Sequence, residues 1–483
     1  MVRHSASTCA QYCFAMGKSH LKGKDLRKIN YPTDKAKSIA IDIMAKHFKH
    51  LSKAEKLDIL KNVLLNPEDY AQHETLGKLA NEFMEVHETP TGKGYKLNDE
   101  PAEYQVYGRK FISQNTMRQM DVAMQLPIAV QGALMPDAHV GYGLPIGGVL
   151  ATENEVIPYG IGLDIGCRMS LTIYDVPAEF IQRNSYQIKV ALKEQTQFGI
   201  GKLQKTIEEH EVLDRSEFRE LELLRQLHGK AKGQIGTSGS GNHFVEVGRV
   251  ELEADNKFGL DAGHYVGILA HSGSRGLGAA IANYYTRVAI DTCWLPKGAK
   301  HLSWLDMDSE AGMEYWLAMN LAGDYAQACH DVIHRKMAKA LGIKPVVKVE
   351  NHHNFAWKEK QADGRELIVH RKGATPARAG QLGIIPATMI DPGYIVSGKG
   401  HAPALNSASH GAGRRLSRTK AKSTLTGSDL KKALKNTGIT LIGGGVDEAP
   451  QAYKKLEEVM AGQTDLLNVE GKFYPRIVRM DKN

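Results

Sequence analysis

Five short stretches of the chain gather residues able to bind a metal or move a proton. "GLDIGC" sets Asp164 three residues before Cys167 around Gly166, so a turn can aim a carboxylate and a thiolate at one point. "GSGNHFVEV" presents Asn242, His243 and Glu246 where a flexible loop enters a strand-like run. "LAHSGSRGLG" delivers His271 at the end of an apolar run, with Arg275 in the loop behind it. "VENHHNFAW" ends a strand at Glu350 and presents His352, His353 and Asn354. "MPDAHVGYGLPIGG" holds His139 in glycine-dense backbone, where a hydrogen bond to a loop carbonyl competes with ligation. Taken singly, each has an ordinary structural use: a capping Asp, a buried Cys, a core imidazole. Together, one carboxylate, one thiolate and several neutral imidazoles suit a divalent transition metal. Zn, Fe, Co and Mn all take such donors, and the thiolate by itself favours Zn over Mn.

A further stretch, "SASHGAGRRLSR", leaves His410 bare among small residues. Such an imidazole can serve as general base, ligand, nucleophile or helix cap. Ser407 and Ser409 can orient a water or hydroxyl for it. Gly411, Ala412 and Gly413 leave room for an electrophile, and their amides can hold an anion. Arg414 can neutralise a phosphate. "HRKGATPARAGQ" reads as a basic, flexible loop in which Arg371 and Lys372 suit phosphate oxygens.

The elements that carry these residues can be sketched. Residues 33–66 predict two helices, with a capping box from Ser52 to Glu55 and a stop at Asn66-Pro67. A turn-rich linker follows, and a boundary is expected near residue 100: a helical N-terminal segment over 1–100 and a catalytic domain over 101–483. Val346–Glu350 and Tyr394–Val396 predict strands. Residues 309–341 predict the longest helix, ended by Gly342. Residues 447–461 predict another. No Gly-rich loop matches either familiar nucleotide cradle.

Composition narrows the class. The 483 residues are 42% hydrophobic and 24% charged, as in globular proteins, and carry a net charge of +8. That charge leans toward a polyanionic partner. No apolar run approaches the ~20 residues of a membrane span, and the first residues lack the apolar core of an export signal. The expectation is a cytoplasmic protein with no membrane partner, for which Met16 would be a more ordinary start. Cys9, Cys13, Cys167, Cys293 and Cys329 are too few and too scattered for a disulfide framework. Cys9 and Cys13 read as incidental, and Cys293 and Cys329 as core or surface thiols.

The order of the motifs adds a resemblance. "MPDAHVGYGLPIGG", "GLDIGC", "GSGNHF", "AHSGSRGLG", "HHN", "HRKGAT", "SHGAGR" and "DEAPQAY" run in sequence from Met135 to Tyr453. Together they closely resemble the RtcB family of RNA ligases, over roughly residues 100–483. The resemblance implies an α+β fold, one large mixed domain whose strand ends converge on a dinuclear metal site. It implies joining of an RNA 3'-phosphate or 2',3'-cyclic phosphate to a 5'-hydroxyl in RNA repair or tRNA splicing, with GTP and Mn²⁺. Asp164, Cys167, His243, His271 and His353 would then hold two Mn²⁺ ions. His410 would be the nucleophile and carry GMP. The nucleotide would be held by Asn242, His243, Phe244, Val245, Glu246, His353, Asn354, the Pro386, Ala387, Thr388 and Met389 run, Gly393, His410, Gly411, Ala412, Gly413 and Tyr453. RNA phosphates would meet the basic residues of 371–378 and 414–422, and an archease-like activator is an implied partner. Three positions depart from the family pattern: Ala387-Thr388-Met389 replaces Gly-Ser-Met, Gly393 replaces a serine, and Met480 stands where a terminal lysine is usual, with Lys482 two residues on. Two other functions share these residues: a dinuclear metallophosphoesterase without nucleotide transfer, and a non-catalytic RNA-binding relative.

Overall fold

The computed structural model describes residues 21–29, 31, 34–84 and 92–481. Cys9, Cys13 and Lys482 lie outside them. The chain divides into two compact units, one up to Thr91 and one from Gly92 onward. In the first, helices Asp34–Lys46 and Lys53–Leu65 pack Ala40, Met44, Leu60 and Val63 into a small core with Leu26 and Leu79. Ser52 caps the second of these helices, accepting from the Glu55 amide while the Glu55 side chain accepts from the Ser52 amide.

The second unit is built on an eight-stranded sheet. Its order is Pro345–His352, Arg168–Pro177, Gly263–Ser272, Phe244–Leu252, Leu467–Met480, Gly393–Gly398 and Leu382–Ile385. All these neighbours are antiparallel; Thr440–Ile442 adds a short parallel strand beside Leu467–Met480. Alternation along the strands divides the side chains between two faces. Val245, Val247, Val266, Ile268 and Ala270 pack on one face against Ile188, Leu192, Ile333 and Met337. Met169, Leu171, Ile173, Leu269, Ile384, Ile395 and Phe473 fill the other. A second sheet runs Asn354–Lys360, Glu366–Lys372, Ile146–Thr152, Gln131–His139 and Tyr104–Val106. The chain passes from the first sheet to the second at His353. Among the described residues, no helix is long and apolar enough to cross a membrane.

The longest helix is Glu310–Leu341, capped by Ser309 and ended by Gly342 in the left-handed conformation. The strands read at 346–350 and 394–396 lie within Pro345–His352 and Gly393–Gly398. Cys293 and Cys329 are both buried.

Two expectations need correction. Residues 447–461 do not form one helix: there are single 3-10 turns at Val446–Glu448 and Pro450–Ala452, then a helix at Leu456–Ala461. Pro450 lacks the amide a continuous helix needs and clashes with the preceding turn. His370–Lys372 is no flexible loop. It ends the Glu366–Lys372 strand, with His370 and Arg371 completely buried. Arg371 meets both oxygens of Glu359 at 2.8 and 3.1 Å and also donates to Ser407 Oγ and the Leu405 carbonyl. It is therefore withdrawn from phosphate binding and anchors the strand that leads to His410.

Breaking a buried pair by removing one partner typically costs about 3–5 kcal/mol, against under ~1 for an exposed pair. Arg371→Ala should lose roughly that larger amount in urea unfolding, and Arg365→Ala, in an exposed pair with Glu153 and Asp363, should lose little. Equal small losses would contradict the anchoring role.

Candidate functional site

Strand register assembles the site. Arg168 lies opposite Ser272 on one side and His352 on the other, while Phe244 lies opposite His271. Cys167, His243, His271 and His353 therefore all fall at the same end of adjacent strands, which are spaced about 4.8 Å apart. Asp164 joins them through a tight turn: the Cys167 amide donates to the Asp164 carbonyl at 3.1 Å. Gly166 takes φ +68°, and a Cβ there would sit 2.8 Å from the Gly323 Cα of the long helix. Both the conformation and the close approach call for glycine.

The donor atoms meet. Cys167 Sγ lies 3.2 Å from His271 Nε2 and 3.5 Å from His243 Nε2. His271 Nε2 lies 3.3 Å from His353 Nε2, and His243 Nε2 lies 3.0 Å from Asp164 Oδ2. Cys167 with His271 and His353, and Asp164 with Cys167 and His243, make two donor sets that share the thiol. His243 Nδ1 lies 3.0 Å from the Ser238 carbonyl and His271 Nδ1 3.2 Å from the Asn242 carbonyl. These contacts turn both Nε2 atoms inward, as in metal sites.

The electrostatics agree. Burial pushes the Asp164 carboxyl up, but the hydrogen bond and charge of His243 outweigh it and hold the group well below the usual carboxylate range. Burial and the Asp164 charge push the Cys167 thiol well up. Burial, with His243 alongside, lowers His271 to about 3, so its ring is neutral and able to donate a lone pair. A carboxylate, the neutral His271 and His353 rings, and His243 and a thiol beside them fit one or two divalent cations, which would displace the thiol proton and any proton that His243 shares with Asp164.

His410 follows the Ser407–Ser409 strand, which pairs with Ala374–Pro376. Its ring centroid is 5.0 Å from that of His353. Its orienting partner is Asp137, which is wholly buried. Asp137 Oδ2 takes His410 Nδ1–H at 2.7 Å, the His410 amide at 3.2 Å and the Gly411 amide at 3.3 Å. Burial pushes the Asp137 carboxyl up, but the charge and hydrogen bond of His410 outweigh it and keep it below its ordinary value. In the neutral ring, a carboxylate that accepts at Nδ1 places the one proton on that nitrogen and leaves the Nε2 lone pair free. Gly413 makes the approach possible: its φ is +72°, and a Cβ would fall 2.1 Å from the Asp137 carbonyl oxygen. Ser407 and Ser409 do not orient His410. Ser407 Oγ is taken by Arg371 and Leu405, and among the described residues Ser409 Oγ has no partner.

Beside His410 lies a cavity of about 290 Å³. Asn242, Phe244, Glu246, His353, Pro386, Ala387, Thr388, Met389, Gly393, Gly411, Ala412, Gly413 and Tyr453 line it, with Met480 on its wall. Val245 does not: strand alternation sends its side chain to the opposite face, where it is buried with Ile333. Asn354 supports the turn instead, donating to the Asp164 carbonyl at 3.3 Å and accepting from the Gly373 amide at 2.8 Å. His139 lines the cavity while its Nδ1 bonds the Asp137 carbonyl at 3.1 Å. Arg414 and Arg418 are held by acids: Arg414 Nη1 lies 3.4 Å from Glu448 and 3.0 Å from Tyr453 Oη, and Arg418 Nη1 lies 2.7 Å from Glu448 and 3.1 Å from Asp447.

Sequence reasoning missed Asp137 and placed Arg275 only in the loop behind His271, whereas it opens the Arg275–Thr292 helix. The signal for Asp137 was an ionisable residue inside the small, apolar "ALMPDAH", where a buried carboxylate must find a partner. Arg275 holds φ +56° and donates from Nη1 to the Ser238 carbonyl at 2.8 Å, with His243 Nδ1 3.0 Å away. Gly239 makes room for it, since a Cβ there would overlap the guanidinium at 1.8 Å.

A family model described as tRNA-splicing ligase RtcB matches residues 119–481. The chain belongs to the RtcB family. It is 33% identical over 369 residues to the RNA-splicing ligase RtcB of Escherichia coli K12, covering 70% of this chain and 86% of that one. It is 32% identical over 411 residues to the tRNA-splicing ligase RtcB of Nanoarchaeum equitans, covering 70% and 85%. With the RtcB of Mycobacterium bovis the identity is 30% over 413 residues, covering 71% and 95%. The RtcB match takes in every donor, His410 and its cavity, and leaves the first unit outside.

Glu246 offers a test of the cavity's electrostatics. Its buried side chain makes no hydrogen bond or ion pair among the described residues, and burial alone raises its carboxyl from 4.5 to about 8. Between those values the unfolded chain has lost a proton that the folded protein keeps, so stability falls as pH rises through the window. Glu246→Gln should flatten that fall in thermal midpoints of the ligand-free protein. An unchanged slope would contradict the assignment.

Proposed function

We propose that this RtcB protein is a GTP- and Mn²⁺-dependent RNA ligase. It would join RNA ends bearing a 3'-phosphate or a 2',3'-cyclic phosphate to 5'-hydroxyl ends in RNA repair or tRNA splicing. One observation carries the reading: His410, its Nδ1 held by a buried carboxylate, stands at the cavity with no hydrogen-bond partner on Nε2 among the described residues, its ring 5.0 Å from that of His353 in the donor cluster. A phosphatase built on the same donors needs only an activated water and has no use for such a histidine.

Asp164, Cys167, His243, His271 and His353 would hold two Mn²⁺ ions, with Cys167 in both sets. The ions would supply neutralisation of phosphate charge and alignment of attacking and leaving oxygens. His410 Nε2 attacks the α-phosphorus of GTP; the P–N bond forms, the bond to the bridging oxygen breaks, and pyrophosphate leaves. Asp137 holds the ring in line and stabilises the positive charge it gains. The Gly411–Gly413 backbone keeps the approach open. An oxygen of the RNA 3'-phosphate then takes the GMP, breaking the P–N bond and restoring His410. The 5'-hydroxyl attacks the activated 3'-phosphorus, a phosphodiester forms, and GMP departs. A cyclic phosphate is first opened by water. Glu246 faces the cavity as the carboxyl available to a base edge, and Tyr453, tied to Arg414 and Glu448, closes one wall. Met480 supplies no charge to the base, so this chain should recognise it mainly through Glu246 and the Phe244 ring.

Two synthetic RNAs, one ending in a 3'-phosphate and one beginning with a 5'-hydroxyl, test the reading when incubated with GTP and Mn²⁺. Wild type should join them. Asp137→Asn should join them at least ~100-fold more slowly, since a general base or nucleophile that loses its orienting partner loses about that factor or more. Release of inorganic phosphate without joining would favour the phosphatase.

A further inference from the structure

A second cavity, a groove of about 920 Å³, adjoins the first and shares His139, Ile146, Arg414 and Arg418 with it. Its wall carries Tyr142, a residue 70% exposed. An isolated exposed aromatic needs no explanation. This one stands on a loop that is held with unusual care. The Gln119 side-chain amide donates to the Gly141 carbonyl at 2.9 Å and the Gly143 carbonyl at 2.7 Å, and accepts from the Gly141 amide at 3.1 Å. The Lys372 ammonium donates to the Tyr142 carbonyl itself. Lys372 also lies 4.7 Å above the Tyr159 ring in the same groove. The backbone on both sides of Tyr142 is therefore fixed, and the ring is presented to solvent at low entropic cost of ordering.

Charge accompanies the ring. Arg414, Arg415 and Arg418 line the groove against a single acid, Glu458, together with Lys372 and Lys454, whose charge burial weakens, Lys372 being lowered to about 7. Of the three arginines behind His410, Arg414 and Arg418 are occupied by Glu448 and Asp447. Arg415 is exposed, and among the described residues its side chain has no hydrogen bond or ion pair. An exposed aromatic ring on a fixed backbone, in the same groove as an unpaired guanidinium, matches a single-stranded nucleotide, with the base on the ring and the phosphate on the cation.

We propose that this groove seats a nucleotide of the RNA close to the end being joined, its base stacked on Tyr142 and its phosphate held by Arg415. The inference rests on the reading of the substrate as RNA. Either strand can supply that nucleotide, and the test separates them.

Fluorescently labelled single-stranded RNAs, one ending in a 3'-phosphate and one beginning with a 5'-hydroxyl, are titrated separately with full-length protein and followed by anisotropy. Tyr142→Ala should weaken binding of one of the two about 5- to 100-fold, the range of a lost base stack. Tyr142→Phe should restore it, because it keeps the ring. Arg415→Ala should weaken the same RNA and lower its salt dependence by about one phosphate contact. Thermal midpoints of all three variants should stay close to wild type, since both side chains are exposed and Tyr142 makes only an edge contact with His301. Unchanged affinity of Tyr142→Ala for both RNAs, or a Phe variant no better than Ala, overturns the inference while leaving the ligase reading standing. Weakened RNA binding in a protein whose wild type joins no RNA overturns the ligase reading and leaves the groove assignment intact.

Discussion

The site depends on one register. With Arg168 opposite both Ser272 and His352, and Phe244 opposite His271, the ends of four strands stand in a row and bring Cys167, His243, His271 and His353 within bonding reach. Strand pairing has a period of two. A slip of one residue would turn His271, and the Cys167 and His353 positions that continue the same alternation, to the face that holds Val245, Val266 and Ile268, while His243 precedes its strand and is set by the loop. The apolar alternation that builds the core thus also fixes the donors, and the hydrophobic effect acts as the site's positioning force. Neighbouring glycines reinforce that placement. Gly166 lets the Asp164 turn press against the long helix, and Gly239 admits the Arg275 guanidinium beside His243.

The second sheet contributes the other half. Asp137 on its Gln131–His139 strand takes three N–H groups from the His410 turn. Arg371 on the neighbouring Glu366–Lys372 strand ties down Ser407, three residues before His410. The histidine is therefore held from one sheet while the donors come from the other, and His353 lies where the chain crosses between them. Burial sets the protonation of His271, which is held neutral, while His243 keeps Asp164 ionised; both are the states that donate to a cation.

Much of this could be read from residue types and spacing. Asp164 and Cys167 around a glycine, three histidines at strand ends and a bare His410 pointed to one place, and their motif order pointed to RtcB. The pairing that unites them could not be read, because it joins residues 104 apart for Cys167 and His271 and no local pattern encodes it. Asp137 went unnoticed because a carboxylate in a glycine-rich stretch looks like a loop residue until its burial is known. Arg371 misled for the converse reason: the glycine after it suggested a loop, whereas the "ELIVHRK" strand continues inward to its partner Glu359. The supposed helix over 447–461 failed at Pro450, a local signal outweighed by the apolar spacing around it.

Everything proposed for this centre turns on whether His410 becomes covalently nucleotidylated. Intact protein incubated with GTP and Mn²⁺ in the absence of RNA, then digested under alkaline conditions, can be mapped by mass spectrometry. A GMP adduct should appear on His410, be lost on acid treatment and be missing in His410→Ala. No adduct under any divalent metal, or an adduct on a lysine instead, would rule out the histidine as the carrier.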